Sequence, residues 1–264
     1  MQDRRAGRRP LATLKATPMN TPSQSNDLQP WDDFDSAWYL AHNYKTLRFD
    51  DREIIERMAT FLASSGPGLS GIDVGSGTNL YPSLAMLPSC RSIAMVERAR
   101  SNVGWLREEI RGYAPTWDPF WGALINAQAD RYKPIEARRL LAERAGVQQG
   151  SIFSLPRGRW DIGTMFFVAE SITARPDEFE RATQSFVRSL RQGAPFAAAF
   201  MRHSTGYRVN GLKFPAVSVG EAQVDECLAP VAYDVTVTMI PSGKNPLRDG
   251  YDGMILATGY ASGS

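Results

Sequence analysis

The stretch Gly71-Ile-Asp-Val-Gly-Ser-Gly-Thr-Asn-Leu-Tyr81 narrows what this chain can fold into more than any other. A short apolar run ends at Asp73, Gly75-Ser-Gly77 makes a turn, and a segment able to form a helix follows. This is how a β-strand passes into a helix above a nucleotide-like ligand. Glycine is needed because a side chain would hold the backbone off the ligand or resist the positive φ of such turns. The dinucleotide fingerprint asks for a third glycine three positions after Gly77, and Leu80 stands there instead.

The chain before this turn divides in two. Residues 1–30 carry Pro10, Pro18, Pro22 and Pro30 without hydrophobic periodicity and read as a disordered arm. A start-site extension or floppy tail, with Met19 as an alternative start, fits the arm better than a transit peptide, and no apolar run follows to make it a secretory signal. From Trp31 the chain is dense in aromatics, with Trp38, Tyr39 and Tyr44 close together. Such a segment either plugs a hydrophobic groove or closes over a ligand, tyrosine hydroxyls bonding it while the rings exclude water. A helix capped by Asp50 or Asp51 follows, its apolar positions Ile54, Ile55, Met58, Phe61 and Leu62 at helical spacing. The lid is thereby expected over residues 31–65.

After it, strands and helices alternate. Strands are expected over 69–74, 92–96, 147–151, 160–167 and 196–201, with helices over 81–86, around 102–106, from 135 to a stop at Gly146, and from Asp177 to Gly193. A helix over 217–228 starts from the capping-box spacing of Ser218 and Glu221. Two β-rich runs, 233–240 and 254–260, joined by a Pro- and Gly-rich connection, read as an antiparallel pair. The expected fold is α/β: a doubly wound, Rossmann-like sheet, mostly parallel with an antiparallel C-terminal pair, in one domain over residues 31–264.

Within that fold, positions predict roles. Glu97 ends the second strand about 20 residues beyond the turn, where a doubly wound fold holds the two ribose hydroxyls of a nucleoside. Ser151, Ile152 and Phe153, after the third strand, are candidates to flank an adenine ring. Phe167 and Glu170 lie at the C-terminal end of the fourth strand, where open α/β sheets bind ligands. A carboxylate at Glu170, between aromatic and apolar neighbours, can bind an amine or take its proton. On the loop His203-Ser-Thr-Gly-Tyr-Arg-Val-Asn210, a lone histidine says little, and Tyr207 and Asn210 are better as pocket walls. Trp38 joins His203, Tyr207 and Asn210 as a candidate substrate contact, and Tyr207 joins Glu170 as a candidate catalytic group.

Leu80 then separates the cofactors. A dinucleotide lays its pyrophosphate against the first helix, where the third glycine gives close strand–helix packing. S-adenosylmethionine has no phosphate; its methionine tail lies over the turn and its ribose reaches the acid. Composition excludes other classes. The formal charge is only +2, and the arm contributes Arg4, Arg5, Arg8, Arg9 and Lys15, so there is no electrostatic case for nucleic acid. Two cysteines, without a CxxC or a nearby histidine pair, indicate neither a metal site nor a disulfide framework and suggest a cytoplasmic protein. No apolar run approaches the roughly 20 residues of a membrane span.

The motifs resemble the nicotinamide, phenylethanolamine and thioether methyltransferases. The resemblance runs from about Trp31 to the C-terminus and rests on Tyr39-Leu-x-x-Asn-Tyr44-Lys, the glycine turn through Tyr81, Glu97 followed by Asn102 and Trp105-Leu106, and Trp117-Asp-Pro. It implies that Tyr39, Tyr44, Gly75, Ser76, Gly77, Asn79 and Tyr81 hold the methionine part, and Glu97 and Asn102 the ribose and its surroundings. It puts Glu170 near the acceptor amine and Tyr207 in the acceptor pocket. Two departures stand out: the family's Asp-Val beside adenine is Ser151-Ile152, and its acid at the end of strand five is replaced by apolar or basic residues around 200–202. The expectation is methylation of a small-molecule amine or related nucleophile by a monomer or weak homodimer. Cyclisation of S-adenosylmethionine to azetidine-2-carboxylate with release of methylthioadenosine is the alternative, and a non-catalytic cofactor-binding protein a further one.

Overall fold

Strand β1 (Leu69–Val74) is followed by β2 (Cys90–Glu97), β3 (Ala145–Gln149), β4 (Ile162–Phe166) and β5 (Pro195–Arg202), then a separate hairpin of β6 (Tyr207–Val209) and β7 (Leu212–Phe214), and finally β8 (Ala232–Pro241) and β9 (Gly253–Ala261). All but the hairpin join one seven-stranded sheet in the order β3-β2-β1-β4-β5-β9-β8. The first five strands pair in parallel, and β9 inserts antiparallel between β5 and β8. The order reverses between β1 and β4, which opens the crevice at their C-terminal ends where ligands of such sheets bind. The computed structural model describes residues 25–243, 247–248 and 250–263, so the expectation of an unfolded arm over residues 1–24 lies outside the described residues.

The helices are α1 (Ser36–Asn43), α2 (Phe49–Leu62), α3 (Tyr81–Met86), α4 (Arg100–Glu109), α5 (Asp118–Ala127), α6 (Ala129–Tyr132), α7 (Ala137–Arg144), α8 (Pro176–Arg188) and α9 (Glu221–Leu228). Alternation along the strands divides the core. Met95, Ile162 and Phe166 meet Ile54, Met58, Leu84, Phe120 and Leu141 from α2, α3, α5 and α7. Ile72, Met165 and Phe196 face the opposite way, onto Phe179 and Phe186 of α8 and Val224 and Leu228 of α9. Burial of both faces accounts for the near-continuous apolar reading of the central strands.

The structure moves several expected boundaries. Order begins before Trp31: Asn26–Leu28 forms a 3-10 turn, anchored where the Asn26 N–H and the Ser25 hydroxyl donate to the Glu178 carboxylate at 2.9 and 2.8 Å. Within the stretch expected as a lid, α2 carries Ile54, Ile55 and Met58 into the core with no exposure. Asp50 and Asp51 do not cap α2; they sit buried in its first turn, accepting from the hydroxyls of Tyr251 (2.8 Å) and Tyr81 (3.1 Å). Helix α7 stops at Arg144, so β3 pairs with β2 from Ala145. Helix α9 begins at Glu221 rather than at 217: the Ser218 box is not used, and the Gly220 N–H is capped instead by the Gln223 side chain at 2.9 Å.

Candidate active site

At the crevice the glycine turn and the acid of β2 are tied together. Gly75 has φ +66°, and an added Cβ there would lie 2.5 Å from a Val168 methyl; Gly77 has φ +54°. Both positions therefore require glycine. The Gly77 N–H donates to Glu97 Oε2 at 2.9 Å, and the Ala99 N–H donates to Oε1 at 2.8 Å. Burial raises the Glu97 pKa, against the lowering effect of these two N–H groups and the Asn102 side chain. Glu97 lines the cavity. Asn102 is held in turn by the Ser36 hydroxyl, which donates to its Oδ1 at 2.7 Å.

Asp73, beneath the turn, accepts from the Ser83 and Thr164 hydroxyls at 2.9 Å each, locking β1 to α3 and β4. Burial lifts its pKa to about 7. Above it, Asn79 Oδ1 accepts from the Tyr81 N–H at 3.2 Å, while Asn79 Nδ2 and the Thr78 hydroxyl are buried without partners. Thr78 and Asn79 both line the cavity over the turn. Leu80 is fully buried at the start of α3, at the strand–helix contact that a third glycine would keep close.

Most of the predicted residues converge. Tyr39, Tyr44, Gly75, Ser76, Gly77, Asn79, Glu97, Asn102, Ser151, Ile152, Phe167 and Tyr207 all line this one cavity, joined by Asn26, Trp31 and Phe34 from the N-terminal segment. Phe167 adopts φ +61°, a strained conformation for an aromatic residue at the mouth of a site. The cover is built from two distant pieces. Trp31 stacks on Phe214 at 5.2 Å, Phe34 and Tyr207 pack on the same ring, and Tyr207 meets Tyr39 edge-on at 6.4 Å. Tyr44 rests on Trp117 and Phe120, which are completely buried and so fix its ring from below. Burial also raises the Tyr207 pKa, so its hydroxyl keeps its proton and can donate but not act as a base.

Five expectations need correction. Glu170 is fully buried and does not line the cavity: its Oε1 accepts from the Met201 N–H (3.0 Å) and the Ser171 hydroxyl (2.9 Å), so it sits behind a wall whose surface residue is Ser171. Tyr81 is a core residue stacked on Phe120 with its hydroxyl turned to Asp51, away from the cavity. His203 lies outside, its Nδ1 3.0 Å from Asp252. Asn210, at the hairpin tip, donates to Asp35 at 2.9 Å, and Asp35 caps α1; its work is to hold the cover together. Trp38 stacks on His42 and faces an adjoining outer cavity instead.

Sequence reasoning missed Arg248. It is only 8 % exposed; Nη1 donates to the Ser171 hydroxyl at 2.8 Å and Nη2 to the Tyr39 hydroxyl at 3.1 Å, with the guanidinium 4.1 Å over the Tyr207 ring. Its setting in the 241–250 connection gave no signal except a cation beside turn residues.

Known proteins resemble this chain in sequence and in fold. The NNMT/PNMT/TEMT family model matches residues 25–259. Phenylethanolamine N-methyltransferase of Sus scrofa is 25 % identical over 244 residues, 83 % of this chain and 84 % of that protein. Among solved structures, an S-adenosylmethionine-dependent methyltransferase from Methanosarcina mazei is similar with a TM-score of 0.53 and 12 % identity, over 77 % of this chain and 96 % of that one. DhpI in complex with S-adenosylhomocysteine is similar with a TM-score of 0.52 and 13 % identity, over 86 % and 91 %. At such identities the structural likeness speaks to the fold.

Proposed function

We propose that this chain, which belongs to the NNMT/PNMT/TEMT family of S-adenosylmethionine-dependent methyltransferases, methylates a small-molecule nucleophile. The observation that carries this reading is the convergence on one cavity of Glu97 and two buried, unpartnered groups, the Asn79 amide and the Thr78 hydroxyl, beneath Tyr39 and Tyr44. These residues fit the cofactor: Thr78 and Asn79 would meet the amino and carboxylate groups of its methionine part, Glu97 its ribose hydroxyls, and Ser151 and Ile152 its adenine. Bound S-adenosylmethionine supplies an electrophilic methyl carbon, so that the nucleophile's lone pair forms the new bond while the carbon–sulfur pair stays on sulfur.

The chain itself then has to position and to exclude water. Tyr39, Tyr44, Phe34 and Tyr207 close the cavity with rings, a cover that favours an acceptor small enough to be enclosed. Ser171 and Tyr207 are the polar wall groups that can orient it. No ionised carboxylate of the chain reaches the acceptor side of this cavity among the described lining residues, so the proton leaves to solvent or to a ligand group.

The test is to incubate purified protein with S-adenosylmethionine, alone and with a panel of amines, heteroaromatic nitrogens and thiols, and to identify the adenosine product by mass spectrometry. Acceptor-dependent S-adenosylhomocysteine is expected. Methylthioadenosine formed without an acceptor would replace methyl transfer by cyclisation, and binding without any product would mean a non-catalytic role.

A further inference from the structure

We propose that the acceptor is an anion, a small nucleophile bearing a carboxylate that Arg248 receives. This deepens the methyl-transfer reading and rests on it. Tyr39 and Tyr207 are walls of both the cofactor cavity and the outer one, so the two adjoin across these rings, and we take the outer cavity as the approach to the reacting centre. Three cations line it, Arg208, Lys213 and Arg248, and among its described lining residues there is no aspartate or glutamate. A cationic amine would meet only like charge there, whereas an anion is drawn in.

Arg248 is the inner end of that approach. Among the described residues its three contacts, to Ser171, Tyr39 and the Tyr207 ring, are all with neutral groups. The carboxylate of Glu170 lies one hydroxyl further back, accepting from Ser171. A guanidinium so deeply buried, which feels the Glu170 charge but has no direct carboxylate contact among the described residues, is costly to hold, and a planar carboxylate in its fork is the partner that compensates best. Arg208 and Lys213 are exposed and serve to attract, not to grip. An acceptor anchored by its carboxylate at Arg248 extends its nucleophilic atom past Ser171 and Tyr207 into the cofactor cavity.

Protein loaded with S-adenosylhomocysteine, titrated by calorimetry with 2-, 3- and 4-aminobenzoate and with the matching aminobenzamides, tests this without turnover. At least one isomer should bind about tenfold or more tightly as the carboxylate, the span of one good charge-assisted contact. In Arg248→Gln the ratio of the two affinities should fall to about one, and Arg248→Lys should keep part of it, having charge without the fork. Arg208→Gln should change the ratio by about twofold at most. Equal affinities in the unaltered protein, no binding of either member, or a ratio undiminished in Arg248→Gln would overturn the proposal; because the ratio is internal to each protein, a merely weakened fold does not imitate the result. A carboxylate preference without S-adenosylhomocysteine formation from any acceptor would leave the anion site standing and remove methyl transfer.

Discussion

The two halves of the site are built in different ways. Around the glycine turn the bonds that shape the backbone span short stretches of chain: Gly77 to Glu97 is 20 residues, and Asn79 to Tyr81 is two, although Thr164 to Asp73 beneath the turn spans 91. On the acceptor side they span the whole fold, with Arg248 and Tyr39 separated by 209 residues, Asn210 and Asp35 by 175, and Arg248 and Ser171 by 77. A local turn is encoded in the residues that make it. A cover that closes only when both ends of the chain have reached the same sheet depends on everything between, and its residues are free to differ among relatives that share the turn.

The largest effect should come from the short-range half. Glu97→Ala removes the carboxylate that would take the ribose and releases the Gly77 and Ala99 N–H groups it now accepts. With charge-assisted bonds at about 1.5–3 kcal/mol each, loss of the two ribose bonds should weaken S-adenosylmethionine binding by about 100-fold or more by calorimetry. A change under about threefold would mean that the turn and the acid do not act as one unit.

The same contrast explains how far the sequence could be read. Helix α3 begins and ends where expected, over Tyr81–Met86, because the glycine turn and Pro88 set it locally. Glu97 is identifiable because its place is a distance along the chain. Glu170 misled because the end of β4 is where ligands bind, yet one residue decides which way a side chain faces there: Ser171 is on the wall and Glu170 behind it. His203 and Asn210 share the loop of Tyr207, but their partners, Asp252 and Asp35, are remote in sequence and turn them outward. Arg248 was illegible for the same reason, since nothing near it announces Tyr39.

The halves meet at the first turn of α2, where Asp51 takes the Tyr81 hydroxyl from the cofactor side and Asp50 the Tyr251 hydroxyl from the β9 side. Burial, then the neighbouring Asp50, raises the Asp51 pKa from 3.8 to about 7. A carboxyl raised on folding contributes stability that is complete below its unfolded pKa and is lost as pH rises through the folded value. Between pH 5 and 7.5, Asp51→Asn should gain on the unaltered protein by on the order of 1–3 kcal/mol in urea unfolding. Asp73, raised in the same way, will leave both proteins some slope of the same sign. A difference that stays constant with pH would show that Asp51 ionises normally and that the junction is wetter than its burial implies.

The smallest expected effect separates positioning from catalysis in the acceptor half. Glu170 Oε1 accepts from Met201 and Ser171, and its Oε2 is buried without a partner. In Glu170→Gln the amide oxygen can keep both accepted bonds, and the amide nitrogen takes the place of Oε2. If Glu170 took the acceptor's proton, kcat would fall by about 100-fold or more, as loss of a general base does. Behind the wall it only orients Ser171, and through Ser171 the Arg248 fork, so kcat should stay within about threefold while the acceptor KM takes any change. The split between kcat and KM is the readout: a collapse of kcat alone would bring Glu170 into contact with the reacting atoms and move the boundary between the two halves, whereas a shift confined to KM keeps the acceptor site a matter of placement.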